Sequence, residues 1–180
     1  MLLRPGHRVR REEAVDALWP DLDPGHAATN LRKALHFARQ ALGEAVVHAD
    51  AQHVWLLDGG TLDLDLDRFE RAVAAIGSGG TDASLPSRDA DLSLGARELL
   101  PDEPYEDWLV PLRSRLTERW ATATLAAAET AEAAEDWPRA ATLAAALVDR
   151  DPANEPAVRV LARTALRRGH RHEARRLIVR

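Results

Sequence analysis

From Arg10 to Trp19, the apolar residues Ala14, Val15, Leu18 and Trp19 fall at helical spacing, with Glu12 and Glu13 in the first turn, where the helix dipole favours acids. Pro20 stops that helix and Asp21–Gly25 reads as a turn. A second amphipathic helix is predicted from about Ala27 to Leu42, with Gly43 as its cap. Val46–His48, a polar link Ala49–Gln52 and His53–Leu57 then read as a β-hairpin rich in branched and aromatic residues.

Thr61 to Asp67 alternates leucine with aspartate, the period of a half-exposed strand, and Asp67 followed by Glu70 fits a helix-start capping pair ahead of Phe69, Val73 and Ile76. A first domain is therefore placed at 1–60 and a second at 61–180. Within the second, Gly77 to Asp91 is rich in Gly, Ser, Asp and Thr and reads as an exposed, mobile loop with no visible chemistry. From Pro111 the pattern is helical almost to the end, broken at Asp136–Pro138, Asp151–Pro152 and Gly169–His170 as in antiparallel helix pairs. Trp137, Ala140 and Leu143 recur as Arg171, Ala174 and Leu177, each pair 34 residues apart, the tetratricopeptide period, with the last repeat stopping after its first helix. The expected fold is mainly α: a small winged-helix domain with a β-hairpin, followed by an all-α tetratricopeptide-like helical repeat domain.

Composition narrows the function. An apolar content of 46% over 180 residues is ample for a buried core. No run has the apolar length of a membrane span, and Met1–Gly6 lacks the apolar stretch of a secretory signal, so a cytoplasmic protein without a membrane partner is expected. The absence of cysteine removes disulfides, thiol nucleophiles and thiolate metal sites together. Basic charge is almost all arginine and is unevenly placed. Residues 1–60 carry 7 basic against 8 acidic groups, 61–111 carry 4 against 12, and 112–180 carry 13 against 9. A nucleic-acid-binding surface in the first part must therefore be made on one face of one element.

The second predicted helix has such a face. At 100° per residue, Ala34, Leu35, Ala38 and Leu42 fall within about 60° of Leu31 and form the core stripe. Thr29, Lys33, His36 and Gln40 fall near the opposite pole, with Arg32 and Arg39 on one flank and Phe37 on the other. This outer face is basic and polar and carries no carboxylate. Arginine and lysine suit phosphates and guanine edges, glutamine suits adenine, and no acid repels a polyanion.

Arg4-Pro5-Gly6-His7-Arg8-Val9, Arg11-Glu12-Glu13 and Ala17-Leu18-Trp19-Pro20-Asp21 resemble the helix that braces a recognition helix, the Leu-Trp-Pro step being the most telling. Asn30-Leu31-Arg32-Lys33-Ala34-Leu35, ending at Ala41-Leu42-Gly43, resembles the recognition helix. Leu64–Glu70 is similar to the opening of an activator domain, and Glu98–Pro101, Tyr105–Leu109 and Arg113–Leu116 to its early segment. In combination, and over nearly its whole length, the chain resembles the Streptomyces antibiotic regulatory protein family, with its OmpR-like winged helix and bacterial transcriptional activator domain. In that family a small sheet and a first helix come earlier. Met1–Arg4 matches only the last turn of that helix, which implies a chain truncated at its N-terminus, one that starts upstream, or another surface that covers the leucines left exposed. The segment Asp50–Trp55 lacks the glycine the family usually shows there, which implies a shorter wing.

The resemblance implies a transcriptional regulator that binds double-stranded DNA. Arg32, Lys33, His36, Arg39 and Gln40 would face the major groove, Thr29, Asn30 and His53 would also contact DNA, and the hairpin from Asp50 to His53 would approach the neighbouring backbone. It also implies self-association or coupling to a downstream regulatory ATPase domain. The rival reading is a tetratricopeptide-like interaction module that has lost DNA binding. No catalytic, cofactor or metal site is expected. Asp63, Asp65 and Asp67 lack the glycine and glutamate of a calcium loop, and His170 and His172 have no third ligand nearby. Phosphate loop, dinucleotide turn and nucleophile elbow are all missing from the sequence. The five tryptophans sit in apolar patterns and are expected to pack. Arg159, Arg163 and Arg167, followed by Arg168, Arg171, Arg175 and Arg176, form the strongest basic row, either a solvated flank or a contact for acidic partners.

Overall fold

The computed structural model describes residues 7–57, 63–77, 85–103 and 107–178, and the side chains of Leu85, Pro86, Trp108, Glu173 and Ile178 lie outside this description. The motif residues Arg4–Gly6 and Tyr105–Glu106, and the first turn expected at Met1–Arg4, are also outside it. The chain divides into two units, Met1–Leu64 and Asp65–Arg180.

In the first unit, strand β1 (Arg8–Arg10) runs straight into helix α1 (Arg11–Leu18), followed by α2 (Pro24–Leu42), β2 (Val47–Ala49) and β3 (His53–Leu56). The strands form one antiparallel sheet in the order β1-β3-β2. Val9, Val54 and Ala49 stand in register across it, and the pleat sends them all to one side. Val54 and Val47 are buried there against Leu31 and Leu35 of α2, with Val15 and Trp19 closing the margin. Helix α2 starts ahead of the predicted Ala27. Asp23 caps it, accepting the N–H groups of Gly25 at 3.0 Å and His26 at 3.2 Å, and Pro24 supplies a preset φ for the first turn. At its other end Gly43, at φ 97°, takes a conformation that side chains disfavour and donates its N–H to the Arg39 carbonyl. Leu42, expected in the core stripe, is instead 59% exposed: it is the last residue of α2, and the cluster that holds the helix against the sheet extends only to Ala38.

The second unit is all helical among the described residues: α3 (Asp65–Gly77), α4 (Leu85–Ser93), short 3-10 turns at Leu94–Ala96 and Asp107–Leu109, then α5 (Val110–Ala133), α6 (Trp137–Arg150), α7 (Glu155–Arg167) and α8 (Arg171–Ile178). The half-exposed strand expected over Thr61–Asp67 is not present in its described part. Asp65–Asp67 form the first turn of α3, so the helix begins ahead of the expected Asp67 cap, and Thr61 and Leu62 lie outside the described residues. Helical period wins because Leu66, Phe69, Val73 and Ile76 make one inward stripe. The loop expected over Gly77–Asp91 is also corrected: from Leu85 it is α4. Its polar residues are held by distant arginines, Asp91 by Arg68 and Asp89 by Arg139, while Leu92 is buried.

The breaks expected after Pro111 coincide with the helix boundaries. Asp136 and Asn154 cap α6 and α7 through the N–H groups of Arg139 and Ala157. Alanines make the seam: Ala123, Ala127, Ala128 and Ala131 of α5 are buried with Ala140 and Ala144 of α6, whose small side chains let helices approach closely. No helix among the described residues is long and apolar enough to cross a membrane.

A tight contact in this core gives a test. A Cβ on Gly95 would collide with the ring of Phe69, itself 1% exposed. Gly95→Ala must displace that ring, so a loss of ~1–3 kcal/mol in urea-unfolding stability is expected. An unchanged midpoint would contradict this packing.

Candidate nucleic-acid interface

The stripe that buries Leu31 and Leu35 decides what α2 turns outward. Thr29, Arg32, Lys33, His36 and Gln40 are exposed, together with Phe37, and α2 carries no carboxylate. Asn30 is half-buried on the flank. Arg32 lies back along its own helix, donating from Nε to the Ala28 carbonyl at 3.3 Å and from a terminal nitrogen to Thr29 Oγ1 at 3.2 Å. Thr29 in turn donates to the Gly25 carbonyl at 3.0 Å, so this guanidinium is held near the start of the helix.

Arg39 is placed differently. Its Nε donates to the Val47 carbonyl at 2.9 Å, tying α2 to β2, and the side chain is half-buried. Its position on the flank of the core stripe brings it within reach of the hairpin. In this structure Arg39 joins the helix to the sheet, whereas Lys33, His36 and Gln40 lie open.

The hairpin turn is organised by Asp50, whose Oδ1 accepts the N–H groups of Gln52 at 2.8 Å and His53 at 2.6 Å. The backbone N–H groups of Gln52 and His53 come first, and Arg8 further down, in holding its carboxyl below the ordinary 3.8. Arg8 pairs with Asp50 at 3.1 Å and meets His53 Nδ1 at 3.1 Å, and Arg11 donates to the Asp50 carbonyl at 3.2 Å. His53, expected at the DNA backbone, is thus half-buried beneath a pair that ties the turn to β1.

Sequence reasoning missed β1 and with it the outer face of the sheet. Arg8, Trp55 and His48 stand opposite one another across the three strands. The Arg8 guanidinium lies 5.0 Å from the Trp55 ring centre, and His48 stacks on the same ring at 5.6 Å. The only available signal was the alternation Arg8-Val9-Arg10, too short to separate from a loop.

In the second unit the arginine row is largely committed to its own helices. Arg159 pairs with Glu155 at 3.5 Å, Arg163 grips Glu132 through two bonds of 2.6 and 2.7 Å, and Arg167 lies over the Trp137 ring. Arg168, Arg171, Arg175 and Arg176 are exposed. Among the described residues no group of three or more His, Asp or Glu side chains could hold a metal ion.

Two outcomes are expected. Arg39→Ala removes a charged hydrogen bond between helix and hairpin and should destabilise the first unit by ~1–3 kcal/mol in thermal or urea melts, whereas Lys33→Ala should stay within about 0.5 kcal/mol. The carboxyls of Asp50 and Asp23 are both depressed, the latter chiefly by the His26 ring. What they contribute to stability is therefore present above the ordinary carboxylate range and lost as pH falls through their folded values. Melting midpoints should hold down to roughly pH 5 and fall below roughly pH 4, less steeply in Asp50→Asn. No protein-family model and no curated protein matches the chain.

Proposed function

We propose that the chain is a transcriptional regulator that binds double-stranded DNA, similar to the Streptomyces antibiotic regulatory proteins. On this reading residues 7–57 act as a winged helix, and the second unit is a tetratricopeptide-like activator domain. The carrying observation is the outer face of α2: five exposed polar or basic residues and no acid, on a helix whose opposite side is fixed in the core. A recognition helix needs that division, since positive charge must meet phosphate while the helix keeps one orientation. The strand, helix, helix, hairpin sequence and the sheet order β1-β3-β2 support the winged-helix part. Arg32, Lys33, His36 and Gln40 are assigned to the groove, with Thr29 and Asn30 at the backbone near the start of the helix. Arg39 is assigned to positioning the hairpin.

For the second unit, α6 and α8 begin at Trp137 and Arg171, and Ala140 and Ala174 are both buried, in keeping with a 34-residue repeat. Its role would be self-association or coupling to a regulatory ATPase domain. The open Lys33 and His36 side chains favour this account over an interaction module without DNA binding.

Fluorescence anisotropy with duplex promoter DNA at two salt concentrations tests the proposal. Affinity should fall steeply with salt, and Lys33→Ala should reduce the slope of log K against log salt by about 1. Charge reversal at Arg32 and Lys33 together should abolish binding. Absence of affinity at low salt, or indifference to that reversal, would leave the interaction-module reading.

A further inference from the structure

The second unit packs its helices in chain order: α3 on α4 and α5, α5 on α6, α6 on α7 and α7 on α8. Helix α8 packs inward through Ala174, which is buried, and turns Arg171, Arg175 and Arg176 to solvent. With Arg167 and Arg168 at the end of α7, residues 167–176 carry five arginines against one acid. Arg167 is engaged with the Trp137 ring, but Arg168, Arg171, Arg175 and Arg176 form no ion pair with a described residue. A complementary loop precedes α5, where Glu98, Asp102, Glu103 and Asp107 are exposed and residues 98–107 contain no lysine or arginine. Arg113 fixes this loop by donating to the carbonyls of Leu99, Leu100 and Glu103 at 2.9, 2.8 and 3.0 Å.

The two charged surfaces do not reach each other within one copy. Arg113 anchors the acidic loop to the start of α5, while Arg163 of α7 grips Glu132 near the end of the same helix. The 19 residues of α5 between those anchors span about 28 Å, well beyond the ~10 Å over which surface charges act in moderate salt. Each surface also holds apolar side chains left open to solvent. Leu166 stands next to Arg167, and Leu100 and Val110 flank the acids; among the described residues of this unit these three are the exposed large apolar side chains. An apolar anchor ringed by charge is the anatomy of a protein interface. We propose that the outer face of α8 and the end of α7 dock the acidic loop of a second copy. Arg168, Arg171, Arg175 and Arg176 meet Asp102, Glu103 and Asp107 there, around Leu166, Leu100 and Val110. Such a contact joins unlike surfaces, so it propagates head to tail instead of closing as a twofold dimer. It gives a mode to the self-association proposed above and rests on that part of the reading alone, not on DNA binding by the first unit.

Analytical ultracentrifugation of the full chain, free of DNA, tests this contact. At low salt the average mass should climb with concentration past that of a dimer, and at high salt it should return to that of one chain. Reversing the basic surface (Arg171→Glu with Arg175→Glu) or the acidic one (Asp102→Lys with Glu103→Lys) should weaken association by roughly 100-fold. An equimolar mixture of the two variants should associate again, because each retains the surface the other has lost. That rescue also shows that both variants are folded. The proposal is overturned if the unaltered chain stays monomeric at low salt, if association survives both reversals, or if the mixture stays monomeric. Because no DNA is present, failure here and failure of the regulator reading are separate results.

Discussion

The face that α2 shows to solvent follows from the contact of Leu31 and Leu35 with Val47 and Val54. That contact sets the rotation of α2 about its axis, and rotation decides whether a helix carrying both apolar and basic residues presents the basic ones. A turn of about 100°, one residue's worth, would bring Arg32 toward the core and push leucine into water, at a cost of several kcal/mol for each buried charge and each exposed leucine. The outward set of Lys33, His36 and Gln40 is thus a consequence of packing on the far side. The turn at Asp50 and the tie from Arg39 to Val47 then hold the hairpin against that helix.

Patterns that repeat over many residues were legible in the sequence. The helices from Val110 onward declared themselves through cap residues followed by proline, as at Asp136 and Asn154, and through a sustained apolar period. The α2 stripe was visible for the same reason. What escaped was short or non-local. Strand β1 spans three residues, and only pairing with β3 makes it a strand. Helix α4 looks like a loop by composition, yet Asp89 and Asp91 find Arg139 and Arg68, which lie 50 and 23 residues away. Leucine–aspartate alternation before Phe69 fits both strand and helix, and the deciding contacts come from the rest of the second unit.

The candidate site was partly legible, and its limits have a geometric cause. An angular projection separates the two poles of a helix well and its flanks poorly. Lys33, His36 and Gln40, at the outer pole, are exposed as expected, while Arg39, on the flank, was available to whichever element came near. The nearest was β2. Likewise, charge counting located the arginine row near the end of the chain but not its partners, since Glu132 sits 31 residues before Arg163.

Lys33 is the only lysine in the sequence and stands at the centre of the outward face, so its amine reports on that face alone. Amine acylation followed by mass spectrometry, with and without duplex DNA at low salt, therefore measures the central claim directly. The account predicts rapid modification of Lys33 in the free protein and strong protection by DNA. Slow modification of the free protein, or a rate that saturating DNA leaves unchanged, would contradict it.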